Sequence, residues 1–222
     1  GMRDHYEGTP FDVQTDCGMG PGEMPYRPTP LEFTHNGKKY FNERPISTQQ
    51  TADTYIAQIR GWLPDAVGGI LWYGSDDPNM ISYTPIYCQN TSVPECFDAP
   101  GADGCTFSWK SAFWVCNWVS NMTYPRYNHL FPVVKEVRDG LDKDLSAKQP
   151  EVEAKAVALY KSNPAEAVRY LTSYSAERGA TMLTTWKALG ERLIVEFNDI
   201  AVKPREDGKY LYTKEGLPAR VQ

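Results

Sequence analysis

The chain has few of the features that mark a membrane protein or a nucleic-acid-binding protein. No apolar run approaches the roughly 18 residues that a membrane-spanning helix needs, and the most apolar stretch, residues 67–73, has the length of a strand. Its 28 Asp and Glu outnumber 23 Lys and Arg, so the net charge is −5. A chain with a net negative charge is poorly suited to bind the negatively charged phosphate backbone of a nucleic acid. We therefore expect neither a membrane span nor nucleic-acid binding.

The sequence also lacks the short motifs of several enzyme classes. It contains no GxSxG, no P-loop and no GxGxxG, which are the patterns of serine hydrolases, nucleotide-binding loops and dinucleotide-binding folds. The three histidines, His5, His35 and His129, are isolated from one another, and no cysteine pair has CxxC spacing. The sequence therefore predicts no metal site and no cofactor.

All five cysteines precede residue 131, and no Cys, Ser or Thr stands out as a catalytic nucleophile. Cys17 lies in a loop rich in Gly and Pro. Cys96 and Cys105 enclose eight residues that include Pro and Gly, a spacing that suits a small disulfide in an oxidising compartment. This pairing favours a location outside the cytoplasm, although the compartment stays open. Cys116 lies among tryptophans and is expected in the core.

Composition divides the chain near residue 131. Residues 1–131 hold most of the aromatic, Gly and Pro residues and are typical of short strands and long turns, whereas residues 132–222 predict charged helices and a polar tail. We expect one α+β domain. The predicted elements are a capped helix over residues 47–60, strands over 67–74 and 81–87 joined as a hairpin, helices over 108–122, 132–146, 151–162 and 164–200, and a hairpin turn at Asp207-Gly208.

Two segments carry candidate chemistry. Asp4 and His5, followed by Glu7, can transfer protons, although hydrogen-bonded surface residues are the alternative interpretation. Arg44 precedes Pro45, which holds it in an extended conformation, and the helix predicted from Ser47 would add positive potential. An Arg fixed there can lower the pKa of a thiol or bind a carboxylate. A structural salt bridge is the alternative for Arg44.

Five stretches, in this order, resemble the cysteine dipeptidases of the dipeptidase A type, a family of N-terminal nucleophile hydrolases. The resemblance covers roughly residues 3–145 and continues more loosely to about residue 200. The stretches are RDHYEGTPFD, NERPISTQQT, GGILWYGSDDPNMISYTPIY, SVPECF and FSWKSAFWVCNWVSN.

The resemblance implies a four-layer αββα sandwich and hydrolysis of short peptides, chiefly dipeptides. The nucleophile of that family is a Cys at the mature N-terminus, whose own α-amino group serves as the base. Family members carry this Cys and a long run of strands before the DHYEGT motif. We therefore expect the chain to be a C-terminal part of such an enzyme, holding a partial sandwich and inactive by itself.

The same resemblance assigns roles to three residues. Arg44 in the NERP stretch is similar to an Arg that reaches the nucleophile's thiol in related amidases. Asp4 and His5 occupy the stretch that supplies part of the oxyanion hole in those relatives. Two alternatives remain: a non-enzymatic module that binds sugars or peptides with its aromatic loops, and an inactive remnant. A partial sandwich also exposes apolar surface, which favours self-association.

Overall fold

Long helices form one layer of the structure and a small antiparallel sheet forms another. The structure, a computed structural model, describes residues 1–15, 19–27, 32–42 and 44–212, and these form an α+β fold. The elements are β1 (Glu32–His35), β2 (Lys38–Phe41), β3 (Asp53–Ile59), α1 (Asp65–Gly68), β4 (Gly69–Ser75), β5 (Thr84–Tyr87), α2 (Ala112–Thr123), α3 (Tyr127–Ser162), α4 (Pro164–Phe197), β6 (Arg205–Glu206) and β7 (Lys209–Tyr210).

The central sheet has the order β3-β4-β5, with both pairs antiparallel. Ile56 of β3 lies opposite Trp72 of β4, and Leu71 of β4 lies opposite Ile86 of β5. The predicted hairpin between residues 67–74 and 81–87 is confirmed, because aromatic and β-branched residues flank a turn rich in Asp, Pro and Asn. The hairpin predicted at Asp207-Gly208 is also confirmed, as strands β6 and β7.

The helix predicted over residues 47–60 is wrong. Residues 53–59 form strand β3 instead, and the Ser47 hydroxyl, expected to cap a helix, donates a hydrogen bond to Asp77. Seven residues of β3 pair with β4, so contacts with a distant strand outweigh the local capping pattern. Ile56 and Ile59, expected on one helix face, therefore lie on opposite faces of the sheet.

Helix α3 joins the two helices predicted over residues 132–146 and 151–162, whereas α4 ends at Phe197, before the predicted end at residue 200. Pro150 lies inside α3, where the side chain of Gln149 contacts Tyr87 and Glu153; these contacts hold the chain helical on both sides of the proline. Gly179 and Gly190 both lie inside α4, which is one continuous helix. A Cβ on Gly190 would lie 2.1 Å from the Trp118 ring, so this glycine allows α2 and α4 to approach closely.

Two apolar clusters hold the layers together. The larger one joins α2, α3 and α4 around the buried side chains of Val115, Val134 and Trp186. The smaller one covers one face of the sheet, where Ile70 packs with Leu171 and others. Within the described ranges, no helix has both the length and the apolar character needed to cross a membrane.

The disulfide expected between Cys96 and Cys105 is absent, since both thiols are free. Cys96 lies in a short 3-10 helix and is buried against Gly179 of α4. Cys105 is exposed, in a turn where its N–H donates to the Asp103 carboxylate at 2.8 Å. The side chains thus lie in different surroundings. The location outside the cytoplasm was inferred from this disulfide, so the free thiols give it no support.

Candidate functional site

The N-terminal segment and the segment around Ser47 meet beside α2 and α3. The Ser47 N–H donates to the main-chain carbonyl of Asp4 at 3.1 Å. The next side chain, His5, is fully buried, stacked against Tyr26 with ring centroids 6.4 Å apart and edge-on to Tyr127 at 6.1 Å. The structure therefore brings two of the stretches singled out in the sequence into direct contact.

The Asp4 and Glu7 carboxylates stabilise a tight turn around His5. Asp4 Oδ1 accepts from the Tyr6 N–H at 2.7 Å, and Glu7 Oε2 accepts from the His5 N–H at 3.1 Å. Tyr6 has a positive φ of 64°, which the hydrogen bond from its own N–H helps to hold. This segment is thus a turn that directs the His5 ring into the protein.

Burial lowers the pKa of His5, because a charged imidazole is poorly solvated there. The carboxylates of Asp77 and Glu7 oppose this effect only in part. Neither ring nitrogen has a hydrogen-bond partner within the described residues. Nδ1 of His5 lies 3.7 Å from Glu7 Oε1, beyond hydrogen-bond distance. Burial therefore favours the neutral imidazole.

Asp77, fully buried, accepts hydrogen bonds from three neighbours. The hydroxyls of Ser47 and Tyr124 both donate to its carboxylate, and the Asn79 N–H donates to Oδ1 at 3.2 Å. Burial, followed by the charge of Asp77, raises the pKa of Tyr124 far above its ordinary range, so this phenol stays a donor. Asp77 thereby fixes the Ser47 segment against the turn that follows β4.

Asp76 is buried beside it and faces α2. Its Oδ2 accepts from the Ser120 hydroxyl at 2.5 Å, and its Oδ1 accepts from the Asn117 amide at 3.2 Å. Burial raises the pKa of Asp76 to about 7, although these two hydrogen bonds act in the opposite direction. The neighbouring charge of Asp77 raises it further. Asp76 therefore takes up or releases a proton near neutral pH.

Two arginines attach the same turn to α3. Arg138 donates to the carbonyl oxygen and to Oδ1 of Asn79, at 2.7 and 2.9 Å. Arg3 donates to the carbonyl oxygens of Pro78 and Ile81 and forms an ion pair with Asp142 at 2.9 Å. The turn is thus fixed from both sides, and the N-terminal segment is held with it.

A chain of side-chain amides leads from Asp76 to the protein surface. Asn121 donates to Asn117 at 2.8 Å and accepts from Gln49 at 2.8 Å. Arg44 lies on the surface next to this chain and donates to Gln50 at 3.3 Å. The amide chain therefore runs from the buried Asp76 carboxyl to Gln49, whose neighbour in sequence, Gln50, contacts Arg44.

The segment of Arg44 contacts the Asp4 segment through Ser47, and the segment is held for a different reason than expected. No helix begins at Ser47, so the helix potential invoked for Arg44 does not exist. Buried Pro45 and the anchored Ser47 hold the segment instead. Asp76 and Asp77 were not among the candidates predicted from the sequence, because Asp residues between two strands are typical of a turn.

Comparison with known proteins decides the family. The model of peptidase family C69 matches residues 1–139, which is more than half of the chain. The chain belongs to peptidase family C69. Asp76, Asp77 and the side chains that donate hydrogen bonds to them lie within the matched part.

Three dipeptidases are similar to the chain over part of their length. Dipeptidase A of Lactobacillus helveticus is 28% identical over 111 residues, which are 50% of this chain and 19% of the relative. Probable dipeptidase B of Streptococcus pyogenes serotype M1 is 23% identical over 152 residues, which are 68% of this chain and 30% of the relative. A probable dipeptidase of Latilactobacillus sakei is 26% identical over 136 residues, which are 60% of this chain and 27% of the relative. The chain thus spans less than a third of each.

The buried thiols of this C69 chain are poor nucleophiles. Burial raises the pKa of Cys96 to about 12. Burial also raises the pKa of Cys116, and the charge of Asp76 adds to the effect. Thiols, unlike thiolates, react slowly. Among the described residues, no cluster of three or more His, Cys, Asp or Glu side chains has a metal-binding arrangement.

Proposed function

We propose that the protein is a peptide hydrolase acting on short peptides, chiefly dipeptides, with a nucleophilic N-terminal Cys that is not among these 222 residues. The observation that carries the proposal is the hydrogen bond between the Ser47 N–H and the Asp4 carbonyl. It brings the DHYEG and NERPIS stretches into contact, and these stretches supply Asp4, His5 and Arg44, the residues that we assign to the site. C69 membership and the names of the relatives support the peptide substrate.

In the proposed reaction, Arg44 stabilises negative charge. Its guanidinium lies on the surface and has five N–H donors, of which one contacts Gln50. A cation near the nucleophile stabilises the thiolate and the oxyanion that forms as the peptide carbonyl is attacked. His5 is kept neutral by burial and is fully buried, so we assign it the role of positioning its segment and not of contacting the substrate. Asp4 holds the turn that directs the ring into the protein.

The four-layer αββα sandwich is part of the same proposal. Ile70 of β4 packs under the helices, whereas Tyr55 and Ile59 of β3 lie on the other sheet face and are 60% and 84% exposed. An apolar sheet face is stable when a second layer covers it, which supports a second sheet in the complete fold. In this chain alone, the same face favours self-association.

One observation favours binding without catalysis as a second candidate function. A cavity of about 360 Å³ lies between the loop after Phe97 and the start of α2, with Phe113 and Trp114 in its wall. Exposed Phe107 and Trp109 are in edge contact nearby. Aromatic walls of this kind stack on sugars or on peptide side chains. Titration with a disaccharide, followed by tryptophan fluorescence, tests this alternative.

The experiment for the main proposal compares the chain with a chimera in which residues 3–222 follow the Cys-led segment of a C69 family member. We expect no dipeptide turnover by the chain and clear turnover by the chimera. Because Arg44 stabilises the transition state, Arg44→Ala should lower kcat by about 10²–10³-fold. Arg44→Lys should restore part of the rate, since it keeps the charge but loses the planar fork.

The matched control is Arg169→Ala, which removes an exposed arginine from α4 and should leave kcat unchanged. If Arg44→Ala and Arg44→Lys turn over dipeptides like the parent chimera but melt at lower temperature, Arg44 is structural and its proposed role is wrong. Turnover by the unfused chain that survives thiol alkylation would refute the cysteine mechanism.

A further inference from the structure

A second cavity lies at the junction of the three long helices, next to the amide chain. It has a volume of about 330 Å³ and is mostly apolar. Ligand pockets are commonly apolar cavities of this order of size with a few polar groups at the edge. The apolar side chains in its wall are Met122, Leu130, Leu193, Ile194 and Phe197.

One positive charge also lines this cavity. The Arg126 guanidinium donates to the carbonyl oxygens of Phe197, Ile200 and Ala201, at 2.8, 3.1 and 3.4 Å. These acceptors are neutral, and no carboxylate in the described part of the chain forms an ion pair with Arg126. The wall therefore combines apolar surface with a cation that lacks a described counter-charge.

The cavity is connected to the candidate site through Asn121, which lines it. Asn121 Oδ1 accepts from the Gln49 amide at 2.8 Å. Gln50, the next residue, accepts from Arg44 at 3.3 Å. Two side-chain hydrogen bonds and one peptide unit thus link the cavity wall to the residue proposed to stabilise the transition state.

We infer that this cavity binds the C-terminal residue of a short peptide, with an apolar side chain inside and the free carboxylate at Arg126. The inference rests on the proposed function. An apolar side chain gains free energy by leaving water, and a carboxylate beside a guanidinium forms a charge-assisted hydrogen bond. The site thereby favours peptides that end in a branched or aromatic residue.

The test uses the chain as it is and follows ligand binding by the NMR signal of the Met122 methyl group and by calorimetry. The probes are leucyl-leucine, leucyl-leucinamide and leucyl-glycine. Removing the carboxylate or the C-terminal side chain should each weaken binding by about 10-fold. If leucyl-leucine at about 10 mM does not shift the Met122 methyl signal, the proposed site is wrong. Equal binding of all three ligands also refutes it.

A matched pair of variants places the site. Ile194 and Val195 are neighbours on α4 with 48% and 46% exposure, but only Ile194 is in the cavity wall. Ile194→Asp should weaken leucyl-leucine binding by about 10-fold or more, because it puts a carboxylate beside the ligand's own. Val195→Asp should change it less than about 2-fold. Equal effects, or octanoate binding as tightly as the peptide, overturn the assignment.

The outcome separates this inference from the function on which it rests. If the chain binds leucyl-leucine with the expected preferences but the Cys-led chimera does not hydrolyse it, the proposed function is wrong and the cavity assignment stands. If the chimera hydrolyses leucyl-leucine and Ile194→Asp leaves its KM unchanged, the cavity assignment is wrong and the function stands.

Discussion

Asp76→Asn should change how the stability of the protein depends on pH. Burial raises the pKa of Asp76 from its ordinary value of 3.8 to about 7. The unfolded chain therefore releases this proton near pH 4, whereas the folded chain retains it until about pH 7. Between these values the folded chain holds more protons, so this carboxyl lowers the free energy of unfolding as pH rises.

The size of the effect follows from the two pKa values. Between pH 5 and pH 8, Asp76 should lower the free energy of unfolding by about 2–3 kcal/mol. An Asn at this position cannot ionise, and its amide can donate to the Ser120 oxygen and accept from Asn117, which contact the two oxygens of Asp76. The variant should therefore keep the local geometry and lose the pH dependence.

Urea unfolding at several pH values measures this directly. The stability of Asp76→Asn relative to the parent should rise by about 2–3 kcal/mol from pH 5 to pH 8. Burial lowers the pKa of His5, which acts with the opposite sign but is common to both proteins. Asp98→Asn, at an exposed carboxyl, is the control and should follow the parent. Parallel parent and Asp76→Asn curves would refute the reasoning.

Two further predictions concern packing and thiols. Gly190→Ala should destabilise the protein by about 1–3 kcal/mol, since its Cβ would lie 2.1 Å from Trp118. The control, Gly140→Ala in α3, places its Cβ in open space and should stabilise the protein by up to about 1 kcal/mol. Equal melting temperatures of the two variants would contradict this prediction. Iodoacetamide should label exposed Cys105 in the folded protein but buried Cys96 only after unfolding, because burial raises the pKa of Cys96 to about 12. Peptide mass spectrometry checks both positions, and early labelling of Cys96 would show that it is not buried.

Several elements were predictable because their signals are local. The turn residues between β4 and β5, and Asp207-Gly208 between β6 and β7, predicted hairpins that the structure contains. The aromatic spacing predicted α2. The β1–β2 hairpin also had a readable signal, the Asn36-Gly37 turn, in which both residues have positive φ.

Elements that depend on distant partners were not predictable in the same way. The stretch after Ser47 has a helix-capping pattern, yet residues 53–59 pair with β4. The pairing adds a ladder of hydrogen bonds, whereas a cap satisfies one or two helix N–H groups. The eight-residue loop between Cys96 and Cys105 suited a disulfide, but the packing of Cys96 against α4 directs its thiol into the core.

For the candidate site, the sequence by itself determined the family and singled out Asp4, His5 and Arg44. Only the tertiary structure decided what surrounds them. Asp77 binds Ser47 and Tyr124, which are 30 and 47 residues away in the chain, and Asp76 binds Ser120 across 44 residues. Contacts between residues this far apart in the chain produce no local sequence motif from which they could be predicted. Their buried hydrogen bonds, and the raised pKa of Asp76, exist only once the helices have packed against the sheet.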